Sequence, residues 1–335
     1  MSAPREIGVG VIGLGFMGQT HVRAIAAARS AGLPCRLVAV CDRSGERLAG
    51  RATPVGNIHT GEPATLFDPA EVRGHSELEP FLTEPGLDAV CVCTYTDTHV
   101  ELASRVLRAG KHVLVEKPVA LRAADVAALS DLAKDRGRVA LPAMCMRHWP
   151  GWDWLRDRIR DGRFGPCRSA TFQRLGAGPT WGAAFYRNLD ASGGAMFDLH
   201  VHDADFIYWC FGTPARVEAT GTPEHLTALY RFESGPAHVV AEAAWDLAPT
   251  AGFRMRFLVN FERASVEFDL ARSPALTVHA PSGSEPVAFP DAHGYDPQMR
   301  HFISLIAGRE RTPRATLDDA LAVTRLLEAE RRCLS

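Results

Sequence analysis

Two patterns of apolar and polar positions divide this chain. Up to about residue 145, short apolar runs (IGVGVI, RLVAVC, DAVCVC, HVLV, VALP) alternate with longer stretches of helical spacing. Such runs, bounded by turn residues, fit strands buried on both faces. Residues 17–31 and 121–137 read as helices, and THVELASRVLRAG reads as an amphipathic helix closed by glycine. This alternation predicts an α/β doubly wound parallel sheet over residues 1–145.

From residue 146 the pattern changes. A helix at 152–161 precedes a strand at 167–175, and one long helix is expected at 195–211. Six strand-like segments follow with few helices between them: RVEATG, LTALYRF, AHVVAEAAW, RMRFLVNF, ASVEFDL and ALTVHA. Closing helices are expected at 295–308 and 316–332. Residues 146–335 therefore read as an α+β domain with a large, mostly antiparallel open sheet, its C-terminal helix packing back on the first domain.

Composition narrows the partners. The 335 residues are 46% hydrophobic and 23% charged, with a net charge of -2. That balance recruits neither nucleic acid nor an anionic membrane, and leaves a small molecule as the expected partner. No apolar run approaches membrane-spanning length, and MSAPREIGVGVIG lacks the regions of a secretory signal. The eight cysteines are scattered with no CxxC, so they read as reduced, buried thiols of a cytoplasmic protein.

The stretch GLGFMG, residues 13–18, is a G-x-G-x-x-G that follows a strand and opens a helix. In that context it is the dinucleotide fingerprint of a Rossmann domain. Gly13 permits the tight turn, Gly15 lets backbone approach a pyrophosphate, and Gly18 allows close helix–sheet packing. Phe16 and Met17 complete the loop at the helix N-terminus, whose potential favours an anion. Asp42 ends the second strand, where an acid binds the ribose hydroxyls of NAD. Arg43 and Ser44 follow it and offer groups for the 2′-phosphate of NADP, so NAD is expected and NADP stays open.

The stretch FDLHVHDADF, residues 197–206, crowds two histidines and three aspartates together. As a strand, Asp198, His200 and His202 would share a face and suit a metal. As a helix, Asp198, His202 and Asp205 share a face and His200 points nearly opposite. Ser192-Gly193-Gly194 and Gly212-Thr213-Pro214 bound the segment at helical length, so the helix is expected and no metal site with it. Apolar residues lie all around this helix, so it should be largely buried.

VEKPVAL, residues 115–121, places Glu116, Lys117 and Pro118 at the carboxyl end of a strand. Ligands of a doubly wound sheet bind at that edge, where a lysine can hydrogen-bond a reacting oxygen. Together, GLGFMGQTHVRAI, TYTDTHVELASRVLRAGKHVLVEKP and SGGAMFDLHVHDADFIYWCFG resemble the glucose-fructose oxidoreductase/inositol dehydrogenase (Gfo/Idh/MocA) family. The resemblance runs along nearly the whole chain and includes HFISLIAGRERTPRATLDDALAVTRLLEA. Tyr95 stands where the family usually has proline, and His200 where it usually has glycine.

The resemblance implies a catalytic trio of Lys117, Asp198 and His202, and a Lys117–Pro118 bond that is often cis in relatives. It adds Thr94, His99, Glu116 and Lys117 to the cofactor side. Arg147, His148 and Trp149, at the domain junction, and Trp181, Tyr186, Arg187 and Asn188, before the Gly-Gly turn, are expected near the substrate. The implied chemistry is hydride transfer between NAD(P) and a secondary alcohol or ketone of a sugar, inositol, sugar nucleotide or natural-product glycoside. His202 would act as base, Lys117 would stabilise charge on the reacting oxygen, and Asp198 would orient the histidine or a neighbouring hydroxyl. A homodimer or homotetramer is implied as well. Two rival readings are an NAD-dependent glycosidase with transient oxidation and a non-catalytic dinucleotide sensor.

Overall fold

In the computed structural model, which describes residues 5–52, 65–290 and 292–334, β1 (Ile7–Ile12) is buried along its whole length. It sits inside a six-stranded parallel sheet, as an uninterrupted apolar strand must. The elements around it run α1 (Phe16–Ser30), β2 (Cys35–Cys41), α2 (Gly45–Leu48), β3 (Arg73–His75), α3 (Leu78–Leu82) and β4 (Leu87–Val92). Next come α4 (His99–Arg108), β5 (His112–Val115), α5 (Ala123–Arg136) and β6 (Ala140–Pro142). The strand order is β3-β2-β1-β4-β5-β6. The order reverses direction between β1 and β4, the crevice where open α/β sheets bind ligands.

The second part begins with α6 (Trp152–Asp161) and β7 (Cys167–Leu175), followed by the short helices α7 (Ala183–Tyr186) and α8 (Leu189–Ser192). The long helix has two parts, a π-helical turn over Met196–His200 and then α9 (Val201–Phe211). The strands β8 (Arg216–Thr222), β9 (His225–Arg231), β10 (His238–Ala244), β11 (Arg254–Phe261), β12 (Ser265–Asp269), β13 (Leu276–Ala280) and β14 (Gly283–Pro286) follow. They join β7 in an eight-stranded sheet of order β14-β13-β12-β11-β7-β10-β9-β8. Only β7 and β10 pair in parallel there; every other neighbouring pair is antiparallel. Helices α10 (Tyr295–Ile306) and α11 (Leu317–Arg331) end the chain.

The chain divides into two compact units. The first comprises residues 1–120, 124–145 and 293–320; the second comprises 121–123, 146–292 and 321–335. The core of the first unit gathers Val9, Val11, Leu14, Ile25 and Cys91 with Met299, Phe302 and Ile303 of α10. The core of the second centres on Trp152, fully buried, with the rings of Phe206, Phe257 and Phe172 at 4.9, 5.3 and 5.7 Å. One face of the eight-stranded sheet packs on these rings. The other face is open, and along β11 Met255, Phe257 and Val259 are buried while Leu258 is 44% exposed. All eight cysteines are free thiols. Burial pushes Cys35 and Cys41 up to about 11, which keeps them protonated and unreactive.

Candidate functional site

The glycine loop, Asp42 and Lys117 all lie in the first unit. Gly13 has φ +84°, and a Cβ on it would stand 2.7 Å from the Cys93 carbonyl oxygen. A Cβ on Gly18 would come within 1.8 Å of the Gly13 carbonyl oxygen, so α1 can approach the turn only with glycine there. Gly15 differs, because a Cβ built on it meets nothing within 4 Å. That open space fronts the N-terminus of α1, where Gly15 offers no side-chain cap and the first turn holds no acid. Phe16 and Met17, half-buried, are the first residues of that helix. The backbone donors of α1 are therefore presented to open space, as a pyrophosphate requires, and the loop fits the dinucleotide.

Asp42 organises the neighbouring turn. Its Oδ2 accepts Leu14 N–H at 2.7 Å and its Oδ1 accepts Ser44 N–H at 2.8 Å. Each carboxylate oxygen keeps a second acceptor site. Asp42, Arg43, Ser44, Glu46, Arg47 and Tyr95 line an open hollow of about 490 Å³. Arg47 Nη1 lies 3.6 Å from Asp42 Oδ2. Asp42, Arg43 and Ser44 are the residues expected here, and Glu46 and Arg47, which carry no sequence signal of their own, join them because α2 brings them to the same hollow. Tyr95, noted only as a departure from the family, is 45% exposed at the rim.

Lys117 stands two residues past β5 and is half-buried, and the Lys117–Pro118 bond is cis. Two expected cofactor residues are turned inward. The Glu116 carboxylate is buried, not presented to a ligand: Oε1 is 2.6 Å from His21 Nε2, and Oε2 accepts Lys117 N–H at 3.1 Å. His99 is also buried, with Nδ1 2.8 Å from Pro118 O and Nε2 3.0 Å from Thr94 O. Burial pushes the His99 imidazole down against the pull of these two carbonyls, and a neutral ring has one N–H for the pair. Thr94 exchanges a 2.7 Å hydroxyl hydrogen bond with Thr98.

The expected Asp198 and His202 lie in the second unit. Gly193 and Gly194 take left-handed φ of +74° and +72°, a conformation that suits glycine alone. Met196 N–H donates to Pro223 O at 2.9 Å as the π turn begins. Wide π turns occur mostly as single turns within helices, often at functional sites. From Ser192 to Ile207 every residue is buried except Asp198 and His202. The two sit one turn apart, and a helix this apolar brings polar groups to its surface only where they are used or solvated.

The other polar residues of this helix are internal. Asp205, expected on the Asp198–His202 face, is instead buried in a forked pair with Arg147: Nη2 to Oδ1 is 2.6 Å and Nε to Oδ2 is 3.0 Å. Arg147 and Trp149 were expected to line the substrate pocket, yet they are 1% and 5% exposed and belong to the interior. The Arg147 guanidinium also lies 5.5 Å from the Trp209 ring centre. Asp203 pairs with Arg174 at 2.9 Å, and that arginine stacks 5.2 Å over Trp152.

His200 is fully buried. Its Nε2 is 2.9 Å from Glu330 Oε2 and 3.0 Å from Tyr230 Oη, while Tyr230 donates to Glu330 Oε1 at 2.7 Å. Burial presses the His200 imidazole down, but the charge and hydrogen bond of Glu330 outweigh it and the net direction is up. His200 and His202 thus part company, one in the core and one at the surface. Among the described residues no group of three or more His, Cys, Asp or Glu converges as metal ligands.

Trp181 and Tyr186 are half-buried, and Arg187 is exposed. Tyr186 meets Phe185 and Trp245 edge to face, with ring centres 5.3 Å apart in both cases. Among the described residues no helix is long and apolar enough to cross a membrane.

Residues 7–143 match the model of the GFO_IDH_MocA oxidoreductase family, NAD-binding Rossmann fold, and residues 152–267 match that of the GFO/IDH/MocA C-terminal domain. The chain is 26% identical to inositol 2-dehydrogenase of Rhizobium meliloti (strain 1021), over 97% of this chain and 96% of that protein. It is 32% identical to dTDP-3,4-didehydro-2,6-dideoxy-alpha-D-glucose 3-reductase of Streptomyces violaceoruber, over 66% of this chain and 67% of that one. The crystal structure of GenD2 from gentamicin A biosynthesis, in complex with NAD, has a TM-score of 0.80 at 24% identity, covering 98% of this chain and 94% of that one.

Proposed function

The chain belongs to the Gfo/Idh/MocA oxidoreductase family, with an NAD-binding Rossmann domain, and on that premise we propose its reaction. It transfers a hydride between NAD and a secondary alcohol or ketone of a sugar, inositol, sugar nucleotide or natural-product glycoside. The observation that carries the reading is the surfacing of Asp198 and His202, alone, from an otherwise buried stretch of helix. The inositol 2-dehydrogenase and deoxysugar 3-reductase relatives support the substrate class.

NAD, when bound, supplies the hydride acceptor, and the protein supplies geometry and electrostatics. The Asp42 turn, the open face of Gly15 and the α1 N-terminus would hold the dinucleotide. His202 takes the hydroxyl proton of the substrate. Lys117 hydrogen-bonds the same oxygen and stabilises the negative charge that develops on it. Asp198 fixes the orientation of His202 or of a neighbouring substrate hydroxyl. Tyr186 and Trp181 offer aromatic faces to the apolar side of a sugar ring, and Arg187 offers a charged edge.

The test is a panel of sugars, inositols and glycosides, followed by the absorbance of reduced nicotinamide with NAD and NADP. Turnover of at least one polyol is expected, and Lys117→Ala should lower it roughly 100- to 10,000-fold while dinucleotide binding holds. Unchanged turnover in Lys117→Ala, or binding of NAD without turnover of any compound, defeats the reading.

A further inference from the structure

Strand β5 is four residues long, and its last ladder partners are Val92 and Pro142, both opposite Val115. Glu116 N–H still reaches Val92 O at 3.0 Å. Lys117 lies beyond that point, so the sheet does not fix its backbone. The ends of a long lysine side chain are placed only as well as the Cα from which it starts.

Other bonds take over there. Glu116 spans two elements, with one oxygen on His21 of α1 at 2.6 Å and the other on the Lys117 N–H at 3.1 Å. On the far side of Lys117, the Pro118 carbonyl faces Nδ1 of His99, the first residue of α4, at 2.8 Å. The second nitrogen of His99 faces Thr94 O, in the turn after β4, at 3.0 Å. His21, Glu116 and His99 are all buried. Together these bonds bracket the lysine on both sides.

We propose that His21 and His99 are positioning residues for Lys117, His21 acting through Glu116 and His99 through Pro118. His21 also lies on the helix that opens with the glycine loop. The loop and the lysine are thereby held in one frame, so that a shift of α1 carries Lys117 with it. The inference rests on the reading of Lys117 as catalytic. A misplacement of about 1 Å at a reacting group costs on the order of 100-fold in rate, which sets the size of effect to look for.

The variants His21→Leu and His21→Gln separate positioning from bulk. Leucine fills the space but gives Glu116 no donor, whereas glutamine keeps a side-chain N–H. His21→Leu should lower kcat roughly 10- to 100-fold with the Kd for NAD little changed, and His21→Gln should recover most of the loss. A second readout needs no turnover. The chain has three lysines, Lys111, Lys117 and Lys134, so reductive methylation with labelled carbon gives three resolved side-chain signals. Lys117→Arg identifies the one that matters. His21→Leu should move the Lys117 signal and leave those of Lys111 and Lys134 in place. His99→Leu, which removes the opposite anchor, should do the same and serves if His21→Leu fails to fold.

An unmoved Lys117 signal in both leucine variants, or kcat at the wild-type level, overturns the inference. Equal loss in the leucine and glutamine variants, with all three signals displaced, also overturns it, because that is general loosening. If Lys117→Ala itself turns over normally, the catalytic reading of Lys117 falls, and the lysine signals still decide whether the two histidines hold it.

Discussion

Arg147 and Asp205 form a closed, forked ion pair inside the second unit, with Nη2 2.6 Å from Oδ1 and each side chain 1% exposed. A pair this buried is costly to break from one side, since the survivor is left charged and unsolvated. Arg147→Ala should therefore cost about 3–5 kcal/mol in a denaturant titration. The KM for substrate of the protein that stays folded should change less than about twofold, as expected of a residue that touches no ligand. A raised KM with unaltered stability would return Arg147 to the pocket.

Asp42 carries two backbone hydrogen bonds and lines the open hollow beside the glycine loop, where we place the ribose. Asp42→Ala removes a charged acceptor from the ribose and loosens the glycine turn. The Kd for NAD should rise roughly 10- to 100-fold, the span expected of hydrogen bonds to a charged group. Discrimination against NADP should narrow at the same time, because Arg43 and Arg47 remain and the repelling carboxylate does not. Isothermal titration with both dinucleotides measures this, and an unchanged NAD:NADP ratio would count against the role.

His202→Gln should lower kcat by roughly 100- to 10,000-fold, with KM affected far less. Asp198→Asn should have a smaller effect, as a group that orients rather than transfers. Single-turnover kinetics separate these outcomes. If Asp198→Asn proved the more damaging change, the assignment of base and orienter would have to be exchanged.

The His200–Glu330 pair makes stability depend on pH. Folding raises the His200 pKa above its ordinary value of 6.5. The folded chain therefore holds that proton more tightly than the unfolded chain. Its stabilisation is whole below about pH 6.5 and fades as pH rises through the folded value. The difference in Tm between wild type and His200→Gln should be largest near about pH 6 and shrink on the alkaline side. A difference independent of pH would show that His200 acts by packing alone.

Periodicity delivered most of the architecture because burial imposes it. The expected helix 152–161 and strand 167–175 coincide with α6 and β7, where alternating or helical apolar spacing is strong. Strands β3 (RGH) and β14 (GSEP) went unseen, since both are short, mostly exposed edge strands with no apolar pattern to read.

The tight glycine turn and the Asp42 turn were legible because local chemistry defines them, whereas the role expected of Lys117 came from the family resemblance. The partner of each buried charge was not legible. Glu116 turns inward because His21, 95 positions away, meets it. Asp205 is buried instead of standing with Asp198 and His202 because Arg147, 58 positions away, claims it. The N–H of Met196, at the start of the π turn, is satisfied by Pro223 O, a partner that no local pattern announces. Such pairings are set by tertiary proximity, and spacing along one helix cannot report them.

Helix α10 supplies Met299, Phe302 and Ile303 to a core otherwise built from residues before 145. On the ribosome, the strands before residue 145 therefore emerge long before α10 can complete their core. At roughly 5–20 residues per second, these apolar strands wait through the synthesis of residues 146–292 of the second unit. The nascent chain spends that interval with the apolar face that Met299, Phe302 and Ile303 will cover still open.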